Sequence, residues 1–292
     1  KILFFISLAL IIIGFVIFTS ASLGLLTREG ARFGAVALKQ LVFGIGFGSI
    51  LFFIASNLNY KVWRKYAFYI FGASLFATLL VFVPGLGFEH GGAKRWIEIG
   101  SFSFQPGEFL KLGFIIYFAA WLSAIKKQSD SLKFGLYPYI GLSALVGVIL
   151  LLQPDTDGFL ITAMAGFVML FVSGTRLKYL ALLILIGTIF LGGLVAYRPY
   201  IKDRLMTFIN IQSADQLGAG YQINQSLIAI GSGGMWGKGF GQSVQKFEYL
   251  PELIGDSIFA VESEEFRFWG SSILILIFLA FGMRSIKIGL NS

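Results

Sequence analysis

The chain has 292 residues, of which 57% are apolar and only 13% charged, and its mean hydropathy is +0.81. Soluble domains carry about a quarter charged residues, so this balance excludes an ordinary soluble fold and places the chain in a bilayer. The absence of cysteine and the single histidine, His90, exclude disulfides, thiolate or His-cluster metal sites and a Ser-His-Asp triad, while the net charge of +8 is dispersed among apolar stretches in a way that fits loops and anionic headgroups rather than nucleic acid.

A membrane-crossing helix needs about 20 apolar residues. Runs of that kind are expected near Ile2–Ser20, Leu38–Ser56, Tyr66–Val83, Phe109–Ile125, Phe134–Leu152, Gly158–Ser173, Tyr179–Tyr197 and Ser257–Met283. The first is long and lacks a small-residue cleavage site after a charged leader, so it reads as a span rather than a signal peptide. The expected fold class is therefore an all-α polytopic membrane protein of about eight transmembrane helices, forming one integral membrane domain over residues 1–292. Between Arg198 and Asp256 the apolar pattern breaks into a long polar loop, the seventh-to-eighth connection, within which Tyr221–Ile230 is a candidate short helix.

Basic residues in the short loops orient the chain. Lys61, Arg64 and Lys65, then Lys126, Lys127 and Lys133, then Arg176 and Lys178 share one side. By the positive-inside rule that side is cytoplasmic, as are both termini. Of the 15 acids only Asp130 falls on it. Polar chemistry thus faces outward, and the 198–256 loop is expected to be extracytoplasmic.

Several residues could carry chemistry, and each also has a plain structural reading. Gly231 to Gly241 resembles a phosphate loop but departs from it, with Ser232 at the first glycine position and Gly239 where a Ser or Thr should follow Lys238. A tightly turned loop accounts for it equally well. Asp256, just before the eighth span, is a helix cap or a general base; Glu252 and the Glu264–Glu265 pair lie near enough in sequence to raise a neighbouring carboxyl. Glu108 and Lys111, one helical turn apart at the start of the fourth span, are an ion pair or mark a functional cavity. Asp155 sits in a tight turn after Gln153 and Pro154 and suits an Asx turn. Arg95 beside Trp96 is an interfacial anchor or a fork for a diphosphate.

Taken in order, Lys94 to Ile97, Phe104 to Lys111, Leu152 to Asp155, Gly220 to Gly234, Gly239 to Lys246 and Tyr249 to Val261 with Glu264–Glu265 resemble the SEDS family (shape, elongation, division and sporulation), the FtsW and RodA proteins. The loop wording is nearer the FtsW branch. The resemblance covers nearly the whole chain. It implies a peptidoglycan glycosyltransferase of the bacterial cytoplasmic membrane that polymerises lipid II at the outer face and releases undecaprenyl pyrophosphate. It carries the family's essential loop aspartate onto Asp256, as general base for the attacking GlcNAc hydroxyl. Arg95, Lys111, Arg204 and Lys246 become cations for the departing diphosphate, and Glu108, Lys111, Asp155 and Glu252 join them as substrate-binding residues. Lipid II, membrane lipids and a class B penicillin-binding transpeptidase with other division or elongation proteins are the implied partners, and no nucleic acid is. No metal ligands are assigned; a divalent cation is left open.

The chain departs from that pattern in places. The family has ten spans, so a chain with eight is expected to be a fragment lacking the last two. Gly107 stands where the family has Ser, and Leu253 where Pro is usual. Glu262, Arg267 and Trp269 replace apolar or small residues inside the expected eighth span, where a charge costs about 2.5–3.5 kcal/mol. Glu264 and Arg267 are expected to pair and offset part of that cost. A lipid II flippase and a catalytically weak scaffold are the alternative readings. Acids crowded on one side argue against a path through both faces.

Overall fold

A computed structural model describes residues 1–27, 33–90, 93–99, 102–125, 132–197, 199–209 and 219–290. The expected Arg28, Arg32, Lys126, Lys127, Asp130 and Arg198 lie outside the described residues. The helices are α1 (Ile2–Leu23), α2 (Val36–Asn57), α3 (Tyr60–Leu79), α4 (Pro106–Ile125), α5 (Tyr137–Leu152), α6 (Thr156–Val172), α7 (Leu177–Tyr197), α8 (Pro199–Ile209), α9 (Ala219–Ser232) and α10 (Ile258–Leu290). Among the described residues seven are long and apolar enough to cross a membrane, and α6, at the run expected over Gly158–Ser173, is apolar but only 17 residues long. The chain is a multi-pass helical membrane protein, as its hydropathy required. Large apolar side chains such as Ile184, Leu185 and Ile189 of α7 are exposed on the helix faces that lipid covers.

Two compact units make up the chain, Ser56–Gly193 and the pair of segments Lys1–Ala55 with Leu194–Ser292. In the first, small residues let helices approach closely, as lipid-embedded packing demands. A Cβ at Gly113 of α4 would lie 2.4 Å from Ser74 Oγ and 3.2 Å from the Phe71 Cα of α3. Along α6 the buried positions Gly158, Thr162, Gly166 and Leu170 recur every fourth residue and form one ridge. At Gly166 a Cβ would meet the Tyr139 ring at 2.7 Å and Phe114 at 3.0 Å. Phe71, Leu110, Phe114, Val146 and Leu150 form one apolar core, and Phe118, Leu122, Leu136, Tyr139, Leu170, Leu180 and Leu183 a second.

One addition was not announced by the sequence. Residues 87–104 form an antiparallel sheet of β1 (Gly87–His90), β2 (Ala93–Ile99) and β3 (Phe102–Phe104) in the order β1-β2-β3. Ala93 and Ile97 of β2 are buried, while Lys94 and Glu98 are exposed, the alternation of a half-covered strand. The strands are short and sit between glycines, so the segment reads as a polar loop in one dimension.

In the second unit α10 packs against α1 and α9. Its helix is broken at Arg267, whose φ of 57° and ψ of −160° are not helical. The spanning part is therefore 268–290, about 35 Å at 1.5 Å per residue. This corrects the expected eighth span: Glu262, Glu264 and Glu265 belong to the short helical segment before the break, not to the interior of a continuous membrane helix. The expected Glu264–Arg267 pair is also absent. Glu264 pairs with Lys238, and Arg267 Nη2 donates to the Ser232 carbonyl at 3.3 Å.

Candidate functional site

In the Ser56–Gly193 unit the sheet presents Arg95 to the α5–α6 turn. Its Nε donates to the Gln153 carbonyl at 3.1 Å, its Nη2 to the Pro154 carbonyl, and its Nη1 lies 3.9 Å from Asp155 Oδ1. Gln153 is held in turn, its amide donating to the Thr78 carbonyl at 2.9 Å. Asp155 is buried and caps α6 by accepting from Gly158 N at 3.2 Å. The turn and the cation brace each other, and Asp155 serves both. Asp155→Ala is expected to cost about 1 kcal/mol through the lost cap. Asp155→Asn, which can still accept from Gly158 N, should keep most of that stability in thermal unfolding.

Glu108 and Lys111 form the expected one-turn pair at the start of α4, with Lys111 Nζ 2.7 Å from Glu108 Oε1. The glutamate is largely exposed and the lysine mostly covered, at 57% and 18% of their side-chain surfaces. A pair with one exposed member is weak in water-accessible surroundings. Lys111 is therefore available to a stronger anion.

In the other unit, residues 250–257 form the turn that carries Asp256. Leu250 and Leu253 anchor it, packed with Ala21, Ala229, Ala260 and Val261. Backbone bonds close it: Gly255 N and Ser257 N donate to the Glu252 carbonyl at 3.0 and 3.2 Å, and Ile258 N to that of Gly255 at 3.2 Å. Glu252, at φ 45°, takes a left-handed conformation that residues other than glycine seldom adopt. Asp256 itself is exposed. Among the described residues its carboxylate has no hydrogen-bond or ion-pair partner, so it does not cap α10. A carboxylate held on a rigid turn and left without a partner is free to take a proton from a bound hydroxyl.

Lys246 lies elsewhere than expected. It is fully buried, with Nζ 2.6 Å from Glu265 Oε1 and 3.1 Å from Ser20 Oγ, and is not presented to a ligand. Arg204 is on α8, but its side chain lies outside the described residues. The glycine-rich 231–241 stretch is a series of tight turns on α10. At Gly237, φ +84°, a Cβ would stand 2.2 Å from the Glu265 carbonyl oxygen, so a side chain there is excluded both by space and by conformation.

The residues that sequence reasoning misread are Glu264 and Glu265. Both are taken up in ion pairs, Glu264 with Lys238 and Glu265 with Lys246. Glu264, fully buried, pairs with Lys238 and accepts from Ser243 Oγ, Ser232 Oγ and the amides of Val244 and Gln245. The sequence cue was limited to Lys238 and Lys246 upstream as available cations, since buried acids need partners. No group of three or more His, Asp or Glu able to hold a metal ion occurs among the described residues.

Comparison with known proteins gives the family. The family model described as cell cycle protein, FtsW/RodA/SpoVE, matches residues 1–292. Stage V sporulation protein E of Bacillus subtilis is 39% identical over 256 residues, covering 88% of this chain and 69% of that protein. The probable peptidoglycan glycosyltransferase FtsW of Coxiella burnetii is 36% identical over 286 residues, covering 97% of this chain and 76% of the relative. Among solved structures, Thermus thermophilus RodA aligns at TM-score 0.62 and 25% identity, covering 97% of this chain and 75% of that one. A chain of a peptidoglycan synthase complex aligns at TM-score 0.71 over 96% and 77% of the two chains, and at 24% identity that likeness speaks to the fold. The chain belongs to the FtsW/RodA/SpoVE family.

Proposed function

We propose that this chain is a peptidoglycan glycosyltransferase that polymerises lipid II at the outer face of the cytoplasmic membrane. The observation that carries the proposal is the Asp256 carboxylate, exposed and without a partner among the described residues, on a turn held by buried Leu250 and Leu253. Relatives named as probable peptidoglycan glycosyltransferases support the same reaction class. Asp256 takes the proton from the GlcNAc 4-hydroxyl of one lipid II as its oxygen attacks the MurNAc anomeric carbon of the growing chain. The anomeric carbon–oxygen bond breaks with inversion and undecaprenyl pyrophosphate leaves with the bonding pair. One displacement needs no covalent nucleophile, and cations stabilise the charge that develops on the leaving group.

Lys111, whose present partner Glu108 is exposed, is by family resemblance a candidate cation for a lipid diphosphate. Arg95 keeps a positioning role, its Nε and Nη2 being used on the α5–α6 turn. Arg204 on the outer loop remains a candidate ligand, and Glu252 fixes the Asp256 turn through its backbone. Lys61, Arg64 and Lys65 in the first turns of α3 and Arg176 and Lys178 at the start of α7 support cytoplasmic termini and an outward loop. A class B penicillin-binding transpeptidase is the proposed partner, in line with the fold shared with a chain of a peptidoglycan synthase complex.

The test is reconstitution of the purified chain in vesicles with lipid II. Glycan polymer of increasing length is the expected product. Lipid II that crosses the bilayer without forming polymer would overturn the proposal in favour of a flippase.

A further inference from the structure

Ser20 at the outer end of α1, Lys246 in the single helical turn Gln245–Glu248, and Glu265 before the α10 break form a closed ring of three groups. Lys246 Nζ donates to Ser20 Oγ at 3.1 Å and to Glu265 Oε1 at 2.6 Å. Ser20 Oγ lies 2.7 and 2.6 Å from the two Glu265 oxygens and donates back to that carboxylate. Ser243 N adds a third donor to that carboxylate at 3.3 Å. All three side chains are buried, and the Lys246 ammonium also lies 5.3 Å from the centre of the Phe247 ring. Backbone geometry holds the same contact: a Cβ at Gly24 would fall 2.3 Å from the Lys246 carbonyl oxygen, so the chain after α1 approaches the loop as closely as a glycine permits.

From this ring to Asp256 the chain has no slack. Leu250 N donates to the Gln245 carbonyl at 3.0 Å, Leu250 and Leu253 are enclosed by Ala21, Ala229, Ala260 and Val261, and Ser257 N returns to the Glu252 carbonyl at 3.2 Å. A shift of Lys246 is therefore passed to the Asp256 turn. A buried ion pair is poor evidence for stability, because its desolvation cost offsets much of the attraction; setting register is its best-attested use.

We infer that Ser20, Lys246 and Glu265 are positioning residues that fix where Asp256 stands, with the outer end of α1 as their anchor. The inference rests on the proposed role of Asp256. It gives Lys246 a task other than binding the departing diphosphate, and it makes α1 part of the catalytic apparatus without its touching substrate.

The experiment compares wild type with Lys246→Met and with the double variant Lys246→Met/Glu265→Met, each as the full chain in vesicles with lipid II. The double variant replaces the pair by apolar groups and is expected to fold as well as wild type. Per folded molecule, kcat should fall by about 10- to 100-fold, the scale of a reacting group displaced by about 1 Å, with KM within about twofold. A diphosphate ligand would raise KM instead. The chain has no cysteine, so spin labels can be placed singly at Gly255→Cys, where a Cβ meets nothing closer than 3.8 Å, and at the exposed Leu8→Cys of α1. The distance between them should be narrow in wild type and shifted or broadened in the double variant. An unchanged distance, or a double variant with wild-type kcat, overturns the inference. If wild type makes no polymer the functional proposal fails, and the distance measurement alone then decides whether the ring positions the turn.

Discussion

Asp256→Asn is expected to lower the rate of glycan polymerisation by about 100- to 10,000-fold, the usual contribution of a positioned general base. The side chain keeps its size and loses only its ability to hold a proton. Because the carboxylate is exposed and unpartnered among the described residues, stability should change by no more than about 0.5 kcal/mol. The two measurements belong together: polymer formed from lipid II by equal amounts of folded protein, and thermal unfolding of both. Loss of activity with unfolding unchanged is the signature of a chemical role. Equal polymerisation by wild type and variant would remove Asp256 from the mechanism.

The largest effect on stability is expected from Glu264→Ala. That carboxylate is fully buried and accepts from Lys238, two serine hydroxyls and two backbone amides. Truncating it leaves the ammonium of Lys238 without its anion and the amides of Val244 and Gln245 without their acceptor. Lys238 is itself partly exposed and can be rehydrated, so the cost falls mainly on the donors left without an acceptor, about 1–3 kcal/mol for each one that stays buried. Glu264→Gln retains acceptor capacity on one oxygen and should lose less. Unfolding in detergent, read together with protease cleavage between α9 and α10, would show the loop released first. A loss below about 1 kcal/mol for the alanine variant would mean that the network does not hold the loop.

The helices were legible because a bilayer imposes one rule on every span, and that rule is written in length and apolarity alone. Even α6 announced itself as an apolar run bounded by Asp155 and Gly174. What was not legible depended on pairing across distance. The strands of residues 87–104 satisfy their backbones with one another, which no local pattern marks. Glu264 and Glu265 looked like free acids beside Asp256, because a linear sequence supplies Lys238 and Lys246 as available cations without saying which acid each will meet. The break at Arg267 was hidden for a different reason: no proline or glycine stands at that position, and the contact of its Nη2 with the Ser232 carbonyl is tertiary. Asp256 was legible through motif resemblance; that it caps nothing required the fold.

The short helix α6 also alters the membrane around it. Its 17 residues span about 25 Å, against a hydrocarbon core of about 30 Å. Ile161, Met164, Val168 and Phe171 face outward along it, so lipid meets that length directly. The bilayer must thin or the helix ends must be solvated, at a fraction of a kcal/mol per ångström of mismatch. Where thinning is the response, the headgroups beside α6 lie nearer the midplane, and the thickness of the surrounding bilayer enters the energy of the chain at that helix.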